Sequence, residues 1–193
     1  MQAKQTSDTL SQLLQCLNNG AWHDGNALGA VLGVSRTAVW KAIKRLQAYG
    51  VDIDKSAKGY RLVEPIVLLD IKKIKAHIHK QALLEACHFE IFETVSSTSQ
   101  YLAVEGNATT EAWQICLAEH QSQGRGRIGR VWLSPFAKNI YCSCLFYWSH
   151  DLSRLGGISL LVALAINATI RDIAPDIACQ VKWPNDVLVN GAK

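Results

Sequence analysis

The stretch "AEHQSQGRGRIGRVWLSPFAKNIYCS", residues 118–143, decides what kind of fold this chain has. Within it, Gly124, Gly126 and Gly129 spell G-x-G-x-x-G, the spacing that cradles a dinucleotide pyrophosphate when a strand leads in and a helix leads out. Here the polar run "EHQSQ" leads in, and "VWLSPFAKN", with Pro135 and strand-prone aromatics, leads out. The dinucleotide-binding, doubly wound reading fails on that context. What remains is a loop that places Arg125, Arg127 and Arg130 among three glycines. Glycines let backbone N–H groups turn inward, and guanidinium forks match the oxygens of phosphate or carboxylate. Such a loop reads as a clamp that orders around an anion; the competing reading is a basic surface loop touching nucleic acid.

On either side of this loop the chain alternates apolar runs and helical stripes. "FEIFETV" (89–95), "AWQICLA" (112–118) and "NIYCSCLFYW" (139–148) read as strands, the last placing Cys142 and Cys144 on one face. "SSTSQYLAV" (96–104) opens a helix, and "IVLLDIKKIKAHI" (66–78) leads into another with Leu69, Ile74 and Ile78 inward. "LGGISLLVALAINATIRDIA" (155–174) predicts an apolar helix buried on most sides. "CQVKWPNDVLVNG" (179–191) predicts a strand broken at Pro184 and a second strand. Helices and strands mix without regular alternation, which gives an α+β class.

The first sixty-odd residues form a separate pattern. Leu10, Leu13, Leu14 and Leu17 make one helical stripe ended by Gly20. A short helix fits 25–32, Gly33 permits a tight turn, and Ser35 can cap a third helix over 36–49. Val39, Ile43 and Leu46 occupy that helix's inner face, while Arg36, Trp40, Lys41, Lys44 and Arg45 occupy the other, with no acid between 36 and 49. "VDI" and "GYRL", joined by "DKSAK", then read as a small hairpin closed by Glu64-Pro65. Three helices with a glycine turn and a two-stranded wing make a winged helix-turn-helix, whose third helix fits the DNA major groove. Ser35, Arg36, Thr37, Trp40, Lys41 and Lys44 are the candidate DNA contacts, with Lys55 and Lys58 in the wing. The division expected is residues 1–64 for DNA binding and 65–193 for a second domain.

Whole-chain numbers add limits. Of 193 residues, 49% are hydrophobic and 19% charged, which argues against disorder. The net charge of +4 points to anionic ligands only where charges cluster. Six cysteines without a C-x-x-C pair or metal-ligand spacing read as reduced thiols of a cytoplasmic protein, and no metal site is expected. No secretory pattern or stretch of about 18 apolar residues is apparent, so no membrane partner is expected.

"ETVSSTSQYL", "AEHQSQGRGRIGRVWLSPFAKNIYCS" and "VKWPNDVLVNGAK" together resemble the signature blocks of the bacterial bifunctional biotin–protein ligases that also repress the biotin operon. The N-terminal winged helix-turn-helix resembles that family's DNA-binding domain, in the same order, so the resemblance spans essentially the whole chain. It implies a synthetase-like mixed sheet for residues 65–193, incomplete at its end relative to the family. It also implies adenylation of biotin with ATP and Mg²⁺, giving biotinyl-5′-AMP, then transfer to a lysine of the biotin carboxyl carrier protein. The further implied partners are operator DNA and a second copy in a ligand-dependent homodimer. Residue by residue, it implies biotin or adenylate contacts at Ser97, Thr98, Ser99, Gln121, Arg125, Gly126 and Arg127. Lys182 and Arg127 take the catalytic roles, and Ser99 stands where the family carries asparagine. Trp132 is implied as a wall of the adenylate pocket. The alternative is a DNA-binding regulator that keeps only a ligand-sensing remnant of the ligase domain.

Overall fold

A computed structural model describes residues 4–5, 8–107, 112–126 and 130–193. Contacts divide the chain into two compact units, Met1–Tyr147 and Trp148–Lys193. The class is α+β: an N-terminal helix-turn-helix precedes a mixed sheet.

The first unit begins with a two-residue strand β1 (Lys4–Gln5) and helix α1 (Asp8–Leu17). The leucine stripe does what its spacing predicts: Leu10, Leu13, Leu14 and Leu17 are all buried. Helix α2 (Gly25–Leu32) starts at Asp24, whose carboxylate accepts the amides of Asn26 and Ala27 at 2.8 and 3.1 Å. Those bonds hold its carboxyl below the usual range. Gly33, at φ 64°, ends α2 in the left-handed conformation that favours glycine. Ser35 then caps helix α3 (Arg36–Ala48) through the Ala38 amide at 3.2 Å. Strands β2 (Ile53–Ser56) and β3 (Gly59–Leu62) form the wing. The first strand starts at Ile53 and runs three residues beyond the end of "VDI", so Lys55 sits within it and Lys58 in the turn. Leu13, Leu17, Val39, Ile43 and Leu46 meet in one core. Leu17→Ala is expected to lower the stability of this unit by about 2–5 kcal/mol, read from the denaturant midpoint.

The linker carries helix α4 (Ile71–Ala76), followed by α5 (Gln81–Glu85). The expected inward stripe fails here. No residue of α4 is buried, and Leu69 lies ahead of the Asp70 cap, with its amide bonded elsewhere. One turn and a half of helix is too short to support a stripe. The sheet follows: β4 (Cys87–Thr94), helix α6 (Thr98–Glu105), β5 (Trp113–Ala118) and β6 (Tyr141–Leu145). Its order is β1-β4-β5-β6; β4 and β5 are parallel and the outer pairs antiparallel. The sequence gives no sign of β1, because two polar residues carry no alternation. Phe92, Leu102, Cys116, Ala118 and Tyr141 form the core under α6.

The second unit holds helix α7 (Ile158–Ile173) and the hairpin β7 (Cys179–Lys182) with β8 (Asp186–Val189). The expectation that α7 is buried on most sides is not met. Only Ala163 is buried, and Leu161 and Ile173 are 66% and 76% exposed. A hairpin of four-residue strands is too small to cover more than part of a helix this long. By length and composition the stretch Leu155–Ile173 could cross a membrane (mean hydropathy 1.4), although no stretch was expected to qualify. Ser159, Asn167 and Thr169 interrupt it, so the average is apolar without a continuous apolar run.

Candidate functional site

Several of the residues expected to bind ligand converge where β4 and β5 end. The chain leaves β4 as Val95-Ser96-Ser97 and leaves β5 as Glu119-His120-Gln121, and the two ends stay laced together. Val95 N donates to His120 O (3.2 Å), Ser122 N to Val95 O (2.9 Å) and Gln123 N to Ser96 O (2.8 Å). This lacing brings Thr98 to Gln121. The Thr98 amide and hydroxyl both donate to Gln121 Oε1, at 2.9 and 3.1 Å. An amide N–H can only donate, so the side-chain carbonyl of Gln121 must face Thr98 and its Nε2 donors must point away. Thr98 is thereby spent on orientation. Its hydroxyl also meets Ser143 Oγ at 2.8 Å.

Ser97 precedes α6 without capping it; its hydroxyl lies 3.1 Å from that of the exposed Ser99. Ser96, 8% exposed, has a buried hydroxyl with no protein partner among the described residues. A buried hydroxyl is costly to leave without a partner, so Ser96 joins Ser97 and Gln121 as a candidate ligand contact. Sequence reasoning missed both Ser96 and Ser143. The strand period could have found Ser143. It faces opposite to Cys142 and Cys144, and pairs with Cys116 of the core under α6.

The arginine loop begins at this same place. Arg125 pairs with Val131 in an antiparallel bridge, and both Arg125 and Arg130 are exposed. Gly124 and Gly126 are not needed for a left-handed backbone; neither has positive φ. They are needed for close approach. A Cβ on Gly124 would lie 2.3 Å from Trp132 Cδ1, and one on Gly126 would lie 2.5 Å from the Arg130 carbonyl oxygen. Trp132 thus packs on the loop's entry while staying 49% exposed. Arg127 and Gly129 lie outside the described residues.

Lys182 stands in the second unit. It is exposed, paired in register with Asp186 across the hairpin whose turn contains a cis Trp183–Pro184 bond. Asp186 is held by Lys193 at 2.6 Å.

On α3, Arg36, Thr37, Trp40, Lys41 and Lys44 are exposed together with the Ser35 cap, and Lys55 and Lys58 are exposed on the wing. Arg45 does not join that basic face. It is half-buried and forms an ion pair with the fully buried Glu93 of β4.

A profile of the "Biotin/lipoate A/B protein ligase family" matches residues 91–193, and one described as "HTH domain" matches residues 9–61. The chain is 36% identical over 183 residues to the bifunctional ligase/repressor BirA of Escherichia coli (strain K12), covering 94% of this chain and 54% of that protein. Against the protein of the same name from Salmonella typhimurium the identity is 37% over 176 residues, covering 91% and 52%. Against that from Bacillus subtilis it is 31% over 170 residues, covering 88% and 51%. The chain therefore spans about half the length of these curated relatives. With the ligase profile running from β4 to Lys193 over the Thr98–Gln121 junction and the arginine–glycine loop, this chain belongs to the biotin/lipoate A/B protein ligase family and carries an N-terminal helix-turn-helix domain.

Proposed function

We propose that the protein is a biotin–protein ligase of the cytoplasm that also acts as a DNA-binding repressor, the two activities that the names of its relatives give to those proteins. The observation that supports this best is the Gln121 amide, oriented by Thr98 beside a glycine–arginine loop. Directed N–H donors suit the carbonyl of a neutral polar ring such as biotin's, and adjacent guanidiniums suit the carboxylate and phosphate that must react.

In this reading Gln121, Ser97 and Ser96 hydrogen-bond biotin, Ser99 supports Ser97, and Thr98 orients Gln121. The biotin carboxylate attacks the α-phosphorus of ATP, and the P–O bond to pyrophosphate breaks. Arg125, Gly126 and Arg127 wrap the resulting biotinyl-5′-AMP, and Lys182 supplies the cation that offsets repulsion between carboxylate and phosphate. A carrier-protein lysine then attacks the acyl carbon, and AMP leaves. Among the described residues no group of three His, Cys, Asp or Glu side chains is placed to hold a metal, and Asp186 already binds Lys193. Mg²⁺ would therefore enter with ATP as the activating ion rather than occupy a resident site built by these residues.

For DNA, one helix-turn-helix reads a single half-site, so repression calls for two copies on an inverted repeat. The test of the ligase reading is biotin-dependent ATP–pyrophosphate exchange by the purified protein. Absent exchange with retained operator binding would favour a regulator without ligase chemistry. Arg36→Ala and Lys41→Ala are expected to weaken operator binding and reduce its salt slope by about 1 per lost phosphate contact, leaving exchange unchanged. A salt titration by fluorescence anisotropy measures this; an unchanged slope would remove those residues from the interface.

A further inference from the structure

The recognition helix does not end in solvent. Its last turn is docked on the same strand ends that carry the ligand shelf. Arg45 pairs with buried Glu93, its Nε lies 3.4 Å from Tyr49 Oη, and its guanidinium sits over the Tyr49 ring. Tyr49 stacks on Phe136 (centroids 5.3 Å, planes 4° apart) and tilts against His120 at 4.9 Å. His120 Nδ1 in turn lies 2.9 Å from Thr94 Oγ1. From the linker, Leu69 N donates to Glu119 Oε1 at 2.6 Å. The two strand ends touched by the N-terminal half, Glu93-Thr94 and Glu119-His120, run straight into Val95–Thr98 and Gln121–Gln123.

The far side of the arginine loop is held in the same way. Phe136 is 2% exposed and belongs to the core built by α1, α3 and the wing. Ala137 N donates to Glu119 O at 2.9 Å, and Lys138 pairs with Glu64 at 2.5 Å. Strand ends and loop exit therefore rest on one support. A buried ion pair is a poor source of net stability, because desolvation offsets most of its attraction, but it fixes geometry and penalises displacement.

We infer that Arg45 and Glu93 are positioning residues for the ligand shelf: their ion pair holds the end of β4 in the register that presents Ser96, Ser97 and the Thr98–Gln121 pair. The inference rests on the proposed biotin site.

The test uses Arg45→Met, Arg45→Lys and the double variant Arg45→Met/Glu93→Gln, which leaves no unpaired buried charge. Two readouts are taken: biotin affinity by calorimetry, and hydrogen exchange of the amides of Val95, Ser122 and Gln123. Arg45→Met is expected to raise the biotin dissociation constant roughly tenfold and to speed exchange at those amides, with the maximal rate at saturating biotin within about twofold of the unaltered protein. Arg45→Lys should recover most of the affinity. If Arg45→Met fails to fold, the double variant is expected to show the same loss and faster exchange. A folded Arg45→Met or double variant with unchanged exchange at those amides overturns the inference, and so does unchanged biotin affinity where the unaltered protein binds biotin. If the unaltered protein binds no biotin, the proposed function falls, while the exchange rates still decide whether Arg45 holds the strand end.

Discussion

If the proposed function holds, Lys182→Ala is expected to lower the rate of biotin-dependent ATP–pyrophosphate exchange about 100- to 1,000-fold, the usual loss when one preorganised charge-stabilising group is removed. Its thermal midpoint stays close to that of the unaltered protein. The contrast follows from where Lys182 sits. It is an exposed residue at the end of a four-residue strand, and surface substitutions of that kind shift stability within about 0.5 kcal/mol. In the proposed reaction its charge acts where two anions must be pressed together, which would make it a group felt in the transition state more than in binding. The expected signature is therefore a fall in the maximal rate with a small change in biotin KM. Exchange at the normal rate would exclude Lys182 from the chemistry, whatever happens to KM.

Glu119→Gln changes how stability depends on pH. Glu119 is 1% exposed, and burial pushes its carboxyl up to about 7, with the bond from the Leu69 amide opposing that shift. A carboxyl raised in the folded state keeps its proton between its unfolded value and about pH 7. Folding therefore takes up a proton in that window, and the contribution of Glu119 to stability falls as pH rises through it. Relative to Glu119→Gln, the unaltered protein should lose roughly 2–3 kcal/mol between about pH 4.5 and pH 7. The glutamine variant retains an oxygen to accept from Leu69 and has nothing to ionise. Denaturant midpoints of both proteins across that range measure the difference. Parallel curves would show that Glu119 is ionised throughout, held by a partner other than Leu69.

The residues that proved easiest to read were those whose role is periodic or local. The leucine stripe of α1, the Gly33 turn, the Ser35 cap and the exposed basic face of α3 all follow from spacing and short-range chemistry, and each appears where expected, Arg45 excepted. Strands β4, β5 and β6 were legible for the same reason. So was the failure of the dinucleotide reading, since a polar run on one side and Pro135 on the other rule out the strand and helix it needs. The arginine–glycine loop and the family blocks pointed to a ligand site without showing how its parts meet.

What the chain order alone could not give is which side chains face one another across many residues. Ser143 is remote from Thr98 in sequence and reaches it only because β6 pairs with β5. Gly124 and Gly126 look like flexibility in the sequence, but in the fold they make room for Trp132 and for the Arg130 backbone. Arg45 looks like one more charge on a DNA-binding face, and tertiary packing turns it inward to Glu93. α7 reads as a core helix because hydropathy reports how apolar a segment is, not what stands opposite it. The sequence by itself determined the longer elements, most of the basic face and the residue types of the arginine–glycine loop, because these depend on residue type at fixed local spacing. Only the tertiary structure decided the orientation of Gln121, the duty of the loop glycines and the docking of α3 on the ends of β4 and β5, because burial and hydrogen-bond partnership are properties of pairs brought together by folding.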